Sequence, residues 1–188
     1  STPRWKSAAG LEKTGTGTLT ITDTDSITAA DGTQDNTLRG SLTAIGGEDA
    51  YGGAGIGSRG TKHSNEHHQT ENITIAGNAY VKAYGTGNAS GIGGGFNGNA
   101  KNITIKDNAY VVAKGSGAGI GSGVDGGSSD VKIQGGTVVA EGKYTGIGGD
   151  YDKFDFSGEN ETSTIEISGG TVYANGNAYG DGVSIGSA

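Results

Sequence analysis

Short runs of aliphatic residues alternate with polar residues at several places along the chain. In NITI (72–75), Ile73 and Ile75 alternate with Asn72 and Thr74. A period of two predicts a β-strand with one buried face, with the isoleucines inside and Thr74 outside. The pattern recurs in five segments: TLTITDTDSITA (18–29), NITIAGNAYVKA (72–83), NITIKDNAYVVA (102–113), DVKIQGGTVVA (130–140) and TIEISGGTVYA (164–174).

A turn and a second short strand follow the first strand of each repeat. The turn contains glycine, asparagine or aspartate, which tolerate positive φ at a sharp corner. The second strand then presents an aliphatic residue and an alanine, such as Val81 and Ala83. Aligned in the same way, the first segment places SITA (26–29) at this strand. The turns of the later repeats are Gly77-Asn78, Asp107-Asn108, Gly135-Gly136 and Gly169-Gly170.

The third element of the repeat is a Gly-Ile-Gly triplet, in which one aliphatic residue lies between two residues without side chains. Such a triplet predicts a tight corner or a third face. Segments of variable length follow the triplets, which is typical of surface loops in a repeat protein. The triplets are centred on Ile56, Ile92, Ile120 and Ile147, and Ile185 is the centre of a related triplet in which Ser184 replaces the first glycine.

The repeats must stack, because no single repeat buries enough apolar surface to fold alone. About four aliphatic side chains contribute roughly 1.5–3 kcal/mol each, whereas ordering ~30 residues costs on the order of 1–2 kcal/mol apiece. We therefore predict an all-β fold, a right-handed parallel β-helix (solenoid) of about five to six coils. It should form a single domain over residues 18–188, after an N-terminal lead-in or cap over residues 1–17. A single column should contain Ile73, Ile103, Val131 and Ile165.

Asparagine and threonine each recur at one outward position of the first strand. Asn72 and Asn102 match the glycosylation acceptor pattern, but both fall at the same point of the repeat, where a structural role in capping a corner explains the asparagine. Thr74 and Thr104 align as they would in an ice-binding surface. The next repeat places Lys132 at that position, which interrupts a flat threonine ladder.

Charge and composition restrict the partners. The chain has 20 acidic and 13 basic residues and a net charge of −7, which disfavours nucleic acid. No apolar run approaches the ~18 residues that span a bilayer, so membrane insertion is not expected. The absence of cysteine excludes disulfides and cysteine-ligated metal sites.

The repeat motifs GIGGG (91–95), NITI (102–105) and IEISGGTV (165–172) resemble those of pectin-lyase-like β-helix repeats in bacterial secreted and cell-surface proteins. The resemblance implies a non-catalytic carbohydrate-binding or adhesive module of a larger extracellular protein, with a polysaccharide or a host or plant glycan as its partner. A structural spacer is the alternative. Polysaccharide-degrading enzymes also have this appearance, but the chain lacks the paired-Asp and Gly-His-Gly signatures of the pectin hydrolases.

Tyrosines at matching repeat positions are the first candidate ligand site. Tyr80 and Tyr110 occupy the same position in neighbouring repeats and should stack on the outside, with Tyr84 extending the strip. An exposed aromatic strip is a platform for polysaccharide chains. Stacked side chains that serve only packing are the alternative. We take Tyr80, Tyr84, Tyr110 and Tyr144 as candidate carbohydrate ligands.

The segment DYDKFDFSGE (150–159) combines carboxylates with aromatic rings. Tyr151, Asp152 and Phe154 could bind a sugar by stacking and hydrogen bonding. Asp150, Asp152 and Asp155 could instead bind calcium through oxygen atoms, and calcium is the one cofactor that the sequence suggests. A local cluster in which the aromatic residues cover the flank of the β-helix is the alternative.

All three histidines lie in HSNEHH (63–68), which matches an H-x-x-E-H spacing. That spacing makes a zinc site on a helix, where residues four apart share one face. Here the segment is polar and has no helical period, so we predict a solvated loop. Adventitious metal binding by His63, His67 and His68 is the alternative.

Overall fold

The structure is a computed structural model that describes residues 7–62, 68–127, 129–149, 163–177 and 182–187. These ranges contain fourteen strands and one 3-10 turn, and no α-helix. The strands are β1 (Leu11–Glu12), β2 (Leu19–Asp23), β3 (Ser41–Ile45), β4 (Ile56–Gly57), β5 (Thr70–Gly77), β6 (Tyr80–Tyr84), β7 (Ile92–Gly93), β8 (Ala100–Ile105), β9 (Tyr110–Gly115), β10 (Ala118–Gly121), β11 (Ser129–Gly142), β12 (Thr145–Gly149), β13 (Thr164–Gly176) and β14 (Val183–Ser187); the 3-10 turn is Asn36–Leu38.

The strands form two parallel sheets. The smaller one has six strands, in the order β1-β4-β7-β10-β12-β14, and contains the central isoleucines of the five triplets, Ile56, Ile92, Ile120, Ile147 and Ile185. The larger one is strongly curled and runs β2-β5-β8-β11-β9-β6-β3, with β13 paired to β11. Hydrogen-bonded neighbours come from successive repeats, so the predicted all-β architecture with parallel strands is confirmed.

Equivalent aliphatic residues of successive repeats pair directly with one another. Ile103 lies between Ile73 and Val131, and Val131 in turn pairs with Ile165. The side chains of Ile73, Ile103 and Val131 are fully buried. Outside, Thr74 pairs with Thr104 and both are half-buried. The predicted strand register is therefore confirmed.

Residues with positive φ form the corner between the first and second strands of a repeat. The φ angles are 62° at Gly77, 60° at Asp107, 79° at Gly136 and 87° at Gly170. In β11 and β13 the glycine pair lies within one continuous strand, and the register of the ladder shifts there. The first half of β11 consequently pairs with β8 and the second half with β9, which curls the larger sheet.

An asparagine ladder marks the corner at the start of the first strand. Asn72 and Asn102 have φ angles of 60° and 52°. Asn102 Nδ2 donates to Asn72 Oδ1 at 2.7 Å, and Asn72 Nδ2 donates to the carbonyl oxygen of Thr16 at 2.7 Å. These bonds join successive repeats, so the structural role predicted for the two asparagines is confirmed.

The first repeat departs from the predicted alignment. Its second strand is β3 and not SITA (26–29), because Leu42 of β3 pairs with Val81. Residues 24–40 form an insertion between β2 and β3. Ile27 is buried, and its carbonyl accepts a backbone hydrogen bond from within the insertion. Ile27 is therefore a buried residue of the insertion and not of a second strand, although the local alternation is typical of a strand.

The last repeat is more exposed than the repeats that precede it. Ile167 and Ile185 are 43% and 45% exposed, whereas their partners Ile133 and Ile147 are fully buried. Among the described strands, β13 pairs only with β11 and β14 only with β12. The interior repeats consequently hold most of the buried core.

Candidate ligand-binding groove

Aspartate and threonine side chains shape the insertion formed by residues 24–40. Asp35 Oδ1 accepts hydrogen bonds from Thr37 Oγ1 at 2.6 Å and from Thr37 N at 2.8 Å, which caps the 3-10 turn. Asp31 binds the hydroxyl and backbone N–H of Thr33 in the same way. The hydroxyl bond, followed by the backbone bond, lowers the pKa of each carboxyl below its ordinary value. Both turns are therefore stabilised while the aspartates are ionised.

Asp23 closes the insertion where it leaves and rejoins the sheet. Its carboxylate accepts hydrogen bonds from Gly40 N at 2.8 Å and from Asp25 N at 3.0 Å. The Gly40 bond is the main reason that the pKa of Asp23 is lowered; the Asp25 bond and the positive charge of Arg39 add to it. The two ends of the insertion are thus held together by one ionised side chain.

Arg39 fastens the insertion to the neighbouring repeats. Its Nε donates to Asn36 Oδ1 at 2.9 Å. Its Nη1 donates to the carbonyl oxygens of Asn78 at 3.0 Å and Asn108 at 2.7 Å, which belong to the corners of the next two repeats. All three acceptors are uncharged, so these contacts fix the guanidinium without neutralising it.

The outer face of β6 presents Tyr80, Lys82 and Tyr84, because these residues alternate with the buried Val81 and Ala83. This face lies beside the insertion. Its outward residues pair across the sheet with those of β3 on one side and β9 on the other.

Tyr80 contacts both an aromatic ring and a cation. The ring centroids of Tyr80 and Tyr110 are 5.1 Å apart, with an interplanar angle of 80°. The Nζ atom of Lys82 lies 4.9 Å from the centroid of the Tyr80 ring. The two tyrosines therefore form an edge-to-face pair and not one flat platform.

A groove of about 360 Å³ lies between the insertion and the outer faces of β3 and β6. It combines one aromatic ring, two cationic side chains, and hydroxyl and amide groups, and none of its lining residues in the described ranges is acidic. Ligand sites of this size commonly combine an apolar or aromatic wall with a few polar groups. The lining residues are Asn36, Thr37, Arg39, Ser41, Leu42, Thr43, Tyr80 and Lys82.

The four candidate tyrosines do not form one site. Tyr80 lines the groove and Tyr110 contacts it from the next repeat. Tyr84 lies on the same outer face, where it pairs with Ile45 and Lys114. Tyr144 lies on the short turn between β11 and β12, outside the groove, with Lys143 Nζ 5.3 Å from its ring centroid.

The predicted acidic and aromatic segment lies outside the described residues. This holds for Tyr151, Asp152 and Phe154 as sugar ligands and for Asp150, Asp152 and Asp155 as calcium ligands. In the part of the chain that the structure describes, no three histidine or acidic side chains are grouped so that they could hold a metal ion.

Only one of the three histidines belongs to the described ranges. His63 and His67 lie outside them. His68 lines a second cavity, of about 220 Å³, together with Glu12 and Arg59. Arg59 Nε and Glu12 Oε1 form an ion pair at 2.7 Å, and Lys13, which also lines this cavity, donates to the carbonyl oxygens of Thr14 and Gly15.

Of the residues that line the groove, only Tyr80 is predicted from the sequence as a ligand. Arg39, Ser41, Thr43 and Lys82 were not candidates, because no motif marks them. One signal was present in the sequence. A long, mostly polar stretch that is rich in aspartate and threonine separates Asp23 from the next strand, where the later repeats have a two-residue turn.

Comparison with known proteins adds no family assignment. The described residues contain no helix of the length and apolarity that a bilayer crossing requires. The chain matches no family model, no curated protein and no solved structure. The resemblance to pectin-lyase-like repeats therefore depends on the motifs alone.

Proposed function

We propose that this chain is a non-catalytic carbohydrate-binding or adhesive module that binds a saccharide in the groove beside Tyr80. The observation that carries the proposal is the composition of the groove wall: a half-buried tyrosine ring together with hydroxyl, amide and cationic donors. Aromatic rings contact the apolar face of a sugar, and polar side chains bind its hydroxyls. The volume of about 360 Å³ falls within the ordinary range of small-ligand sites.

The scaffold that we propose for this site is a right-handed parallel β-helix of about five to six coils. Paired columns of equivalent residues support it, as do the three strand segments of each complete repeat, of which the first two are joined into one strand in β11 and β13. Such a scaffold is rigid, and in it the insertion of residues 24–40 is a loop that adds one wall to a regular outer face. A rigid site loses little conformational entropy when a ligand binds.

The biological setting that we propose is outside the cell, on a larger bacterial protein of which this module is one part. Its partner there would be a polysaccharide or a host or plant glycan. Calcium remains a proposed ligand for the carboxylates of Asp150, Asp152 and Asp155. The motifs GIGGG, NITI and ISGGTV are the support for this setting.

A glycan array followed by calorimetry with the best saccharide tests the proposal. Tyr80→Ala should weaken binding about fivefold or more, because one lost ring contact is worth roughly 1 kcal/mol or more. Ser41→Trp, which adds a ring to the groove at an exposed position, should abolish binding. The control is Tyr173→Ala: Tyr173 is a tyrosine in the same curled sheet, 62% exposed and outside the groove.

The thermal unfolding of each variant separates lost binding from lost folding. If no glycan is retained by the folded wild-type chain, the carbohydrate proposal is wrong and the spacer alternative gains support. If glycan binding survives Ser41→Trp unchanged, the saccharide site lies elsewhere on the chain.

A further inference from the structure

We infer that the groove selects an anionic saccharide, one that carries a carboxylate or a sulfate ester, and places its charged group between Lys82 and Arg39. This inference rests on the proposed function and adds the chemical class of the ligand. The two side chains bring two positive charges to one cavity, and none of the eight lining residues is acidic. The whole chain, in contrast, has a net charge of −7.

Lys82 is available to a ligand. Its side chain is half-buried on the outer face of β6, where its ammonium lies 4.9 Å from the Tyr80 ring centroid. Among the described residues, no carboxylate lies within ion-pair distance of it. Lys114, one repeat further along the sheet, is instead paired with Glu141 at 2.8 Å. Lys82 thus carries a positive charge with a tyrosine ring as its neighbour and no anionic partner.

Arg39 provides donors that are fixed in advance. A guanidinium has five N–H groups, and three of them donate to Asn36 and to the carbonyl oxygens of Asn78 and Asn108. The two N–H groups of Nη2 have no acceptor within the described part of the chain. Because the other three bonds hold the plane of the group, a ligand oxyanion would meet oriented donors at little entropic cost.

Asp23 and Asp35, which adjoin the insertion, already accept hydrogen bonds in turns. Asp23 accepts from Gly40 N and Asp25 N, and its interaction with Arg39 acts beyond ion-pair distance. Asp35 accepts hydrogen bonds from the backbone N–H and the hydroxyl of Thr37. These bonds hold both carboxylates against the insertion. Their negative charge reduces the positive potential of the groove, but the carboxylates do not line the groove.

Titration with glucose, glucuronic acid and glucose 6-sulfate tests the inference. NMR chemical shifts of the Tyr80 and Lys82 amides report on the groove. We expect both charged sugars to bind at least about tenfold more tightly than glucose, with affinity falling when salt rises from about 0.05 M to about 0.5 M. Lys82→Gln should remove most of that preference, and Lys132→Gln, the same change at an exposed outward lysine of β11, should not.

Each remaining outcome overturns a different statement. Equal binding of glucose and the charged sugars at these amides, with Lys82→Gln ineffective, overturns the charge preference and leaves the proposed function standing. Absence of shifts at Tyr80 and Lys82 with every sugar overturns both. Inorganic sulfate that binds as tightly as glucose 6-sulfate overturns the saccharide part, because the sugar ring would then contribute nothing.

Discussion

The burial of one isoleucine column gives a quantitative test of the stacked core. Ile105 pairs with Ile75 on one side and Ile133 on the other, and its side chain is fully buried. Ile167 pairs with Ile133 at the same repeat position, but it is 43% exposed because it belongs to the last repeat. The two residues therefore allow one substitution to be compared in an enclosed and in an open environment.

We expect Ile105→Ala to lower the free energy of unfolding by about 3–4 kcal/mol. Loss of three methylene-sized groups at about 0.8 kcal/mol each accounts for roughly 2.4 kcal/mol, and the enclosed cavity adds the remainder. Ile167→Ala should cost only about 1 kcal/mol, since roughly half of the side chain already contacts water and the gap is open. Ile105→Lys should leave the chain unfolded, because the column offers no partner for a buried charge.

Equilibrium urea unfolding followed by far-ultraviolet circular dichroism measures both changes. A shifted midpoint with an unchanged slope identifies a change in stability, and Thr104→Ala, an outward change on the same strand, should stay within about 0.5 kcal/mol of wild type. Equal losses for Ile105→Ala and Ile167→Ala would refute the reasoning, because enclosure in the column would then have no energetic effect.

Three further predictions concern the backbone, the insertion and the surface. Gly121→Ala should cost more than about 3 kcal/mol in urea unfolding, because φ is +140° and a Cβ would overlap a carbonyl oxygen of the neighbouring strand. The hydroxyl and backbone bonds of Thr37 lower the pKa of Asp35 below 3.8, so Asp35 stabilises the fold above pH 3.8 and loses this effect as pH falls through the lowered pKa. The melting-temperature difference between wild type and Asp35→Asn should therefore shrink below pH 3.8. Lys114→Gln should lower the free energy of unfolding in urea by less than about 1 kcal/mol, because the side chains of Lys114 and Glu141 are about half exposed. The hydrogen bond from Lys114 to Glu141 raises the pKa of Lys114, but water screens this interaction.

The parts of the fold that repeat could be predicted from the sequence. Ile73 and Ile103 occur in nearly identical segments, and a period of two allows only one face to be buried. The corners at Gly77 and Gly136 were also readable, because few residue types adopt positive φ there. In these places local preference and the interface between repeats favour the same arrangement.

The candidate groove could not be predicted in the same way, because long-range contacts form it. Arg39 binds carbonyl oxygens of residues 39 and 69 positions away in the chain, and the turn motifs that contain these residues do not indicate which side chain will bind them. The segment SITA (26–29) has the alternation of a strand, yet Ile27 is buried within an insertion. The neighbourhood of Tyr80 and Tyr110 was predicted from register, but their edge-to-face geometry depends on side-chain torsions that the pattern does not fix.

The most direct test of the proposed site is an NMR titration of the isotope-labelled chain with the best saccharide from the glycan array. We expect the amide shifts to concentrate on Ser41–Ile45 and Tyr80–Tyr84, the two strands that form one wall of the groove. Shifts that concentrate instead on the outer face of β8, around Thr104, would contradict it.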